Sequence, residues 1–208
     1  MSTPGSTFDE LVKTLLWPSF KSLGYKKSGN NFRYYNSDGW GKIVQFQKSQ
    51  FNSTTELSFT VNIGLYLLDY DYCLCGQQSG EKFQEPACVV RKRISALTGQ
   101  PTNAWFEVTE STDRGQLFSQ LSGEFTQFIH PYLAAVKSKD NIYAILLAGH
   151  RADFLSVQIQ VLFRAGYKEA AAGLFISEFD RAKSNKHYRA TLKELAVKLE
   201  LPKSLMDD

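Results

Sequence analysis

The sequence predicts an α+β fold, an antiparallel β-sheet meander covered on one face by helices, with a C-terminal helical-hairpin extension. Three observations carry this. Leu57, Phe59, Val61, Ile63 and Leu65 alternate with Ser58, Thr60, Asn62 and Gly64, the period of two expected when one sheet face is buried and the other wet. Short polar turns join this segment to the β-rich stretches before it, which makes the neighbouring strands antiparallel. From residue 113 onward the apolar spacing lengthens to three and four, the period of a helix.

Along the chain, residues 8–23 read as a helix, because Phe8, Leu11, Val12, Leu15, Leu16 and Phe20 share one face and Gly24 supplies a stop. Ser6 or Thr7 is the expected N-cap, and Pro18 should kink or shorten the last turn. Strands then follow at 32–35, 40–50 and 56–68. They are separated by the turn sequences Ser28-Gly29-Asn30-Asn31, Asn36-Ser37-Asp38-Gly39 and Asn52-Ser53-Thr54. Residues 69–86 have no clear period and are expected to be a long loop, a candidate lip over a site. Strands resume at 88–95 and 105–109.

In the helical part, Leu117, Leu121, Phe125, Phe128, Tyr132 and Val136 form a stripe that needs a sheet or other helices to cover it. Pro131 should bend or split this helix. Short helical units follow, punctuated by Asp140, Gly149, Asp153 and Gly166, and Gly149-His150-Arg151 with Asp153 reads as a helix stop followed by the next N-cap. The expected organisation is one α+β domain over residues 1–139 and a helical extension over residues 140–208.

Composition narrows the function classes. With 43% hydrophobic and 13% aromatic residues the chain has a core to bury, unlike a disordered sequence. Its 24 basic and 21 acidic residues give a net charge of +3, too balanced to demand a polyanionic partner. Two runs nevertheless concentrate positive charge: Lys13 to Lys48, opposed there only by Asp38, and Arg181, Lys183, Lys186, Arg189 and Lys193. No apolar run is long enough for a membrane span, and the first residues lack a secretory layout. The odd set Cys73, Cys75 and Cys88 suits a reducing compartment better than a disulfide framework, so a cytoplasmic protein is expected.

The segments GYKKSGNNFRYY, IVQFQKSQFN and FTVNIGL, in that order and approximate spacing, resemble the bacterial family known as domain of unknown function 4304. The resemblance extends over residues 8–139 and takes in Gln47-Lys48-Ser49, Asn62-Ile63-Gly64 and Arg91-Lys92-Arg93-Ile94. That family has no established activity. The resemblance therefore implies a fold, together with a setting in bacterial genomes compatible with an immunity-like or accessory intracellular role.

If the odd-numbered residues of 57–65 face the core, their alternates lie on the opposite face, and neighbouring strands extend that face. It then carries Arg33, Tyr35, Gln45, Gln47, Thr60, Asn62, Arg91 and Arg93, with Cys88 and Val90 turned inward. Amides and guanidinium forks offer several donors at fixed angles, which suits carboxylate, phosphate or a partner's main chain and supplies no nucleophile. The three cysteines and the scattered His130, His150 and His187 lack metal-site spacing. No nucleophile elbow, phosphate loop or zinc-protease signature is present. The reading is a non-catalytic protein- or peptide-binding module, without cofactor or metal. Weak nucleic-acid binding is the alternative, using the residues from Lys13 to Arg33 with Arg91 and Arg93, and Tyr34, Tyr35 and Trp40 to stack on bases. A small hydrolase or nuclease with an unrecognised site ranks third.

Overall fold

A computed structural model describes residues 3–102, 104–202 and 205. The first rod of the fold consists of α1 (Pro4–Glu10), a π-helical stretch Leu11–Leu16 and α2 (Trp17–Ser22). It begins earlier than the sequence predicts. Thr3 is the N-cap, accepting the Ser6 backbone N–H on its side chain, so Ser6 and Thr7 lie inside the first turns. Pro18 does not break the rod. A proline has no N–H to donate and its ring collides with the carbonyl four residues back. Here the Trp17 N–H reaches five residues back to Val12, and Pro18 falls in the first turn of α2.

The same device recurs around Pro131. There α5 (Arg114–Glu124) passes through a π-helical turn, Phe125–Ile129, into α6 (His130–Ala135), and the His130 N–H bonds the Phe125 carbonyl.

In chain order, between these rods, comes a six-stranded antiparallel sheet: β1 (Lys26–Ser28), β2 (Asn31–Asn36), β3 (Trp40–Lys48), β4 (Glu56–Leu67), β5 (Val90–Arg93) and β6 (Phe106–Thr109). The first five follow in spatial order. β5 and β6 share one edge of the long β4, with Leu65↔Val90 to Asn62↔Arg93 at one end and Phe59↔Phe106 to Glu56↔Thr109 at the other. On the first face, Leu57, Phe59, Val61, Ile63, Leu65 and Leu67 are buried under the two rods. Phe8 meets Phe59 edge-on at 5.0 Å, Phe20 meets Phe32 at 5.2 Å, and Phe46 stacks on Phe125 at 5.9 Å.

The chain departs from expectation after β4. Instead of a loop, Leu68–Cys75 forms a helix, α3, with Asp69 and Asp71 in its first turn and Gly76 in the left-handed region at its end. Acids at a helix start oppose the positive end of the dipole, and glycine tolerates the αL stop. Two short 3-10 turns, Gly80–Lys82 and Glu85–Ala87, complete the connection. A single helical turn, α4 (Ser95–Thr98), separates β5 from β6.

The C-terminal third consists of α7 (Lys139–Leu147), α8 (Leu155–Arg164), α9 (Lys168–Arg181) and α10 (Lys186–Lys198). α7 starts at a capping box in which Ser138 and Asn141 satisfy each other's backbone N–H. Asp153 does not cap α8; Phe154 occupies the N-cap position. α8 packs against α9 and against α3. One continuous apolar core runs from Phe8 through Phe175 to Leu201. No helix among the described residues is long and apolar enough to cross a membrane.

Candidate functional site

The second sheet face carries the residues the alternation assigns to it, and the register aligns them in rows. Arg33, Ile43, Gly64 and Arg91 form one row, Gln45, Asn62 and Arg93 a second, and Gln47 and Thr60 a third. The face is not uniformly wet. Thr60 has no exposed surface, Asn62 is 8% exposed, and β4 is buried on both sides from Phe59 to Leu67.

One half of this face is plugged. The segment 80–88 folds over it and, with the sheet, builds a small second core of Ile43, Tyr66, Phe83 and Cys88. Two glycines make the room. A Cβ on Gly41 would lie 2.7 Å from the Phe83 ring, and one on Gly64 would lie 2.5 Å from the Cys88 sulfur, both closer than atoms pack. Cys88 therefore sits on the face opposite to Val90 rather than inward with it, because it precedes β5 and the strand's alternation does not reach it. Burial pushes the Cys88 thiol pKa up, the neighbouring Glu85 adding to the effect.

The plug occupies three of the eight predicted site residues. Tyr35 packs 6.2 Å from the Tyr66 ring and 6.4 Å from Phe83. Arg33 donates to the Phe83 carbonyl at 3.0 Å. Arg91 grips the buried Glu85 carboxylate through Nε at 2.9 Å and Nη2 at 2.8 Å, and its other branch pairs with Asp153 of the C-terminal third. The Glu85 bonds, ahead of the Asp153 charge, hold the guanidinium pKa above its ordinary value. Behind the plug, Asp71 accepts from the Tyr66 hydroxyl at 2.8 Å and the Ser79 N–H at 2.8 Å. Burial, with the Asp71 bond second, raises the Tyr66 pKa.

The other half is open and polar. Asn62 Nδ2 donates to Gln45 Oε1 at 3.1 Å and Gln47 Oε1 at 2.8 Å, so one buried amide holds two others in fixed orientation. Continued by one residue, the register Phe59↔Phe106 sets Trp105 opposite Thr60 on this face. Arg93 lies over the Trp105 ring at 5.6 Å and reaches the Thr102 carbonyl at 3.4 Å. Gln47, Lys48, Ser49, Gln50, Phe51 and Trp105 line an adjoining hollow of about 430 Å³, and Phe51 is 86% exposed. Sequence reasoning missed Trp105 and Phe51. Trp105 precedes its strand, and Phe51 sits in the turn between β3 and β4, outside any periodic segment.

A second concave site lies on the other side of the sheet, where Tyr25, Tyr34, Trp40, Lys42, His130 and Leu133 line a cavity of about 300 Å³. Lys42 Nζ donates to the Leu133 carbonyl at 2.7 Å and lies over the Tyr34 and Trp40 rings at 5.4 and 5.5 Å. Burial lowers its pKa. His130 stacks on Phe20 at 4.7 Å and contacts Ser19 Oγ at 3.3 Å, and burial lowers its pKa as well.

The family model for the domain of unknown function (DUF4304) matches residues 16–135, more than half of the chain. The chain belongs to this family. Both sites lie largely within the matched residues, and the Gly41 and Gly64 clearances belong to its sheet. No curated protein and no solved structure matches the chain.

The basic residues are mostly engaged within the fold. Lys13 pairs with Asp9, Lys26 with Glu81, Arg114 with Glu10, and Arg181 with Glu178. Arg189 lies over the Phe179 ring at 4.3 Å. Trp40 is buried and Tyr34 and Tyr35 are half-buried, so the three do not form an open row of exposed rings of the kind that stacks on successive bases. Cys73, Cys75 and Cys88 are free thiols, and no group of three or more potential ligands is arranged to hold a metal among the described residues.

Proposed function

We propose that this family member is a non-catalytic binding module that takes an extended peptide across the open half of its second sheet face. The amide triad carries the reading: Asn62 fixes Gln45 and Gln47 through their carbonyl oxygens. Their Nε2 groups make no hydrogen bond among the described residues, and they face solvent as oriented donors. A peptide main chain offers carbonyls at regular spacing, and preoriented donors bind it without the entropy cost of ordering two glutamines. The hollow beside Phe51 and Trp105 then receives a side chain, since aromatic residues supply most of the energy in such contacts. Arg93, held flat against Trp105, suits an acidic residue in the same peptide.

Several observations support binding over chemistry and over nucleic acid. The triad contains no group that titrates near neutrality, and the rings expected to stack on bases are buried or half-buried rather than set out in an exposed row. A cytoplasmic setting accords with the three free thiols. The test is selection of a displayed random-peptide library against the wild type, followed by fluorescence titration of the recovered peptides. Gln45→Ala with Gln47→Ala should weaken binding at least tenfold, or about 1.4 kcal/mol, while the melting temperature stays within a few degrees. Peptides that bind the double variant as tightly as the wild type would sink the reading.

A further inference from the structure

We propose that the cavity between α2, α6 and the β2–β3 hairpin is a binding site for a small organic carboxylate with a flat apolar body. This site is separate from the amide triad and does not depend on the peptide reading. Its central group is Lys42. Among the described residues the Leu133 carbonyl is its one hydrogen-bond acceptor, and its other neighbours are the faces of Tyr34 and Trp40. No carboxylate forms an ion pair with it there. Carbonyl and ring faces compensate a desolvated ammonium only in part, which leaves a cation that gains from a bound anion.

The surroundings narrow the anion. At about 300 Å³ the cavity is at the small end of ligand sites, large enough for one or two fused rings and too small for a nucleotide. The Tyr34 ring packs directly against Tyr25 at 5.7 Å and against Trp40 at 5.6 Å, so the three form one continuous aromatic wall against which a planar apolar body can lie. The nearest helix end is the C-terminus of α6, whose carbonyls bear partial negative charge. A phosphate dianion is disfavoured beside them, and the usual phosphate devices, an arginine fork or a helix N-terminus, are not among the lining residues. Lys137 also lines the cavity but is exposed, so the half-buried Lys42 is the desolvated ammonium that a monoanionic carboxylate meets.

The competing role for Lys42 is structural, as a clamp on the last turn of α6. The two roles differ in what Lys42→Met does. The protein is titrated with indole-3-acetate, with the neutral indole-3-acetamide and with inorganic phosphate, following the Trp40 indole N–H by NMR. The acid should saturate with a dissociation constant of about 1 mM or below, as expected for a ligand of this size. The amide should bind at least tenfold more weakly and phosphate should not saturate. Lys42→Met should melt at the wild-type temperature or above it, because an apolar chain replaces a desolvated charge, and should no longer distinguish acid from amide. The proposal is overturned by absence of saturation with the acid, by equal affinity for acid and amide in the wild type, or by saturation with phosphate instead. A lower melting temperature for Lys42→Met also overturns it, in favour of the clamp.

Discussion

Phe83 stacks on Tyr66 with ring centroids 4.2 Å apart and planes only 14° from parallel, although one belongs to the central strand and the other to an irregular connection. This contact converts half of a sheet face into core. Phe83 is fully buried, so Phe83→Ala should cost about 3–5 kcal/mol, the usual loss for a core phenylalanine. Chemical denaturation measures it; a loss below about 1 kcal/mol, the range of a surface substitution, would mean that the plug contributes little.

Gly64→Ala tests the clearance that admits the plug. Its Cβ would fall 2.5 Å from the Cys88 sulfur and 2.8 Å from Ile43 Cγ2, an overpacking expected to cost about 1–3 kcal/mol. Adding Cys88→Ala should restore part of that stability, and the double-mutant cycle measures the coupling. Simple additivity would place the strain elsewhere.

Positions 60 and 61 test the two faces of β4. Val61→Asp should unfold the domain, because an unpaired buried carboxylate costs several kcal/mol against a typical total stability of about 5–15 kcal/mol. Thr60→Asp should be nearly as damaging, since Thr60 is equally buried. Thr60→Val should be neutral or stabilising: the Thr60 hydroxyl is buried without a hydrogen-bond partner, so its removal relieves a desolvation cost. Thermal melts of the three variants decide.

Arg91 and Arg93 should behave differently despite their shared face. Arg91→Ala strands the Glu85 carboxylate, which is 3% exposed. Breaking a fully buried pair costs about 3–5 kcal/mol, and water around the guanidinium brings the expected loss to about 2–3 kcal/mol. Arg93→Ala should cost about 0.5 kcal/mol or less, as for a surface residue, and should instead weaken capture of acidic peptides.

Stability should fall as the pH drops below about 6.5, the ordinary histidine value. Burial lowers the His130 and His150 pKa values, in His150 with help from Lys92. The unfolded chain then takes up protons that the folded chain refuses, so stability is full above the unfolded value and declines as pH falls toward the folded ones. Denaturation midpoints at pH 7.5, 6.0 and 5.0 should drop less steeply for His130→Gln than for the wild type. Identical slopes would show that His130 does not contribute.

What was legible in the sequence was local. The alternation in 57–65 placed Leu57 through Leu65 on the core face, and the turn sequences around Gly29 and Gly39 set the antiparallel order. α3 was not legible, because its buried positions include Asp71, whose partner Tyr66 lies on a different element, and a buried acid breaks the apolar stripe that marks a helix. The plug was hidden for the same reason at longer range. Nothing near Gly41 announces a ring from residue 83, and nothing near Arg91 announces that Glu85 and Asp153 will claim it. The amide triad was legible as a set of residues on one face, whereas the hydrogen bonds that orient it depend on register.

The three thiols differ sharply in access: Cys75 is exposed, Cys73 is half-buried and Cys88 is enclosed under the plug. Cys88 thus becomes an internal clock. An alkylating reagent should modify Cys75 at once and Cys88 only when residues 80–88 lift away, so the lag between the two labelling events times the opening of that segment. A movement with no change in helix content would be read out by mass spectrometry of the unaltered protein.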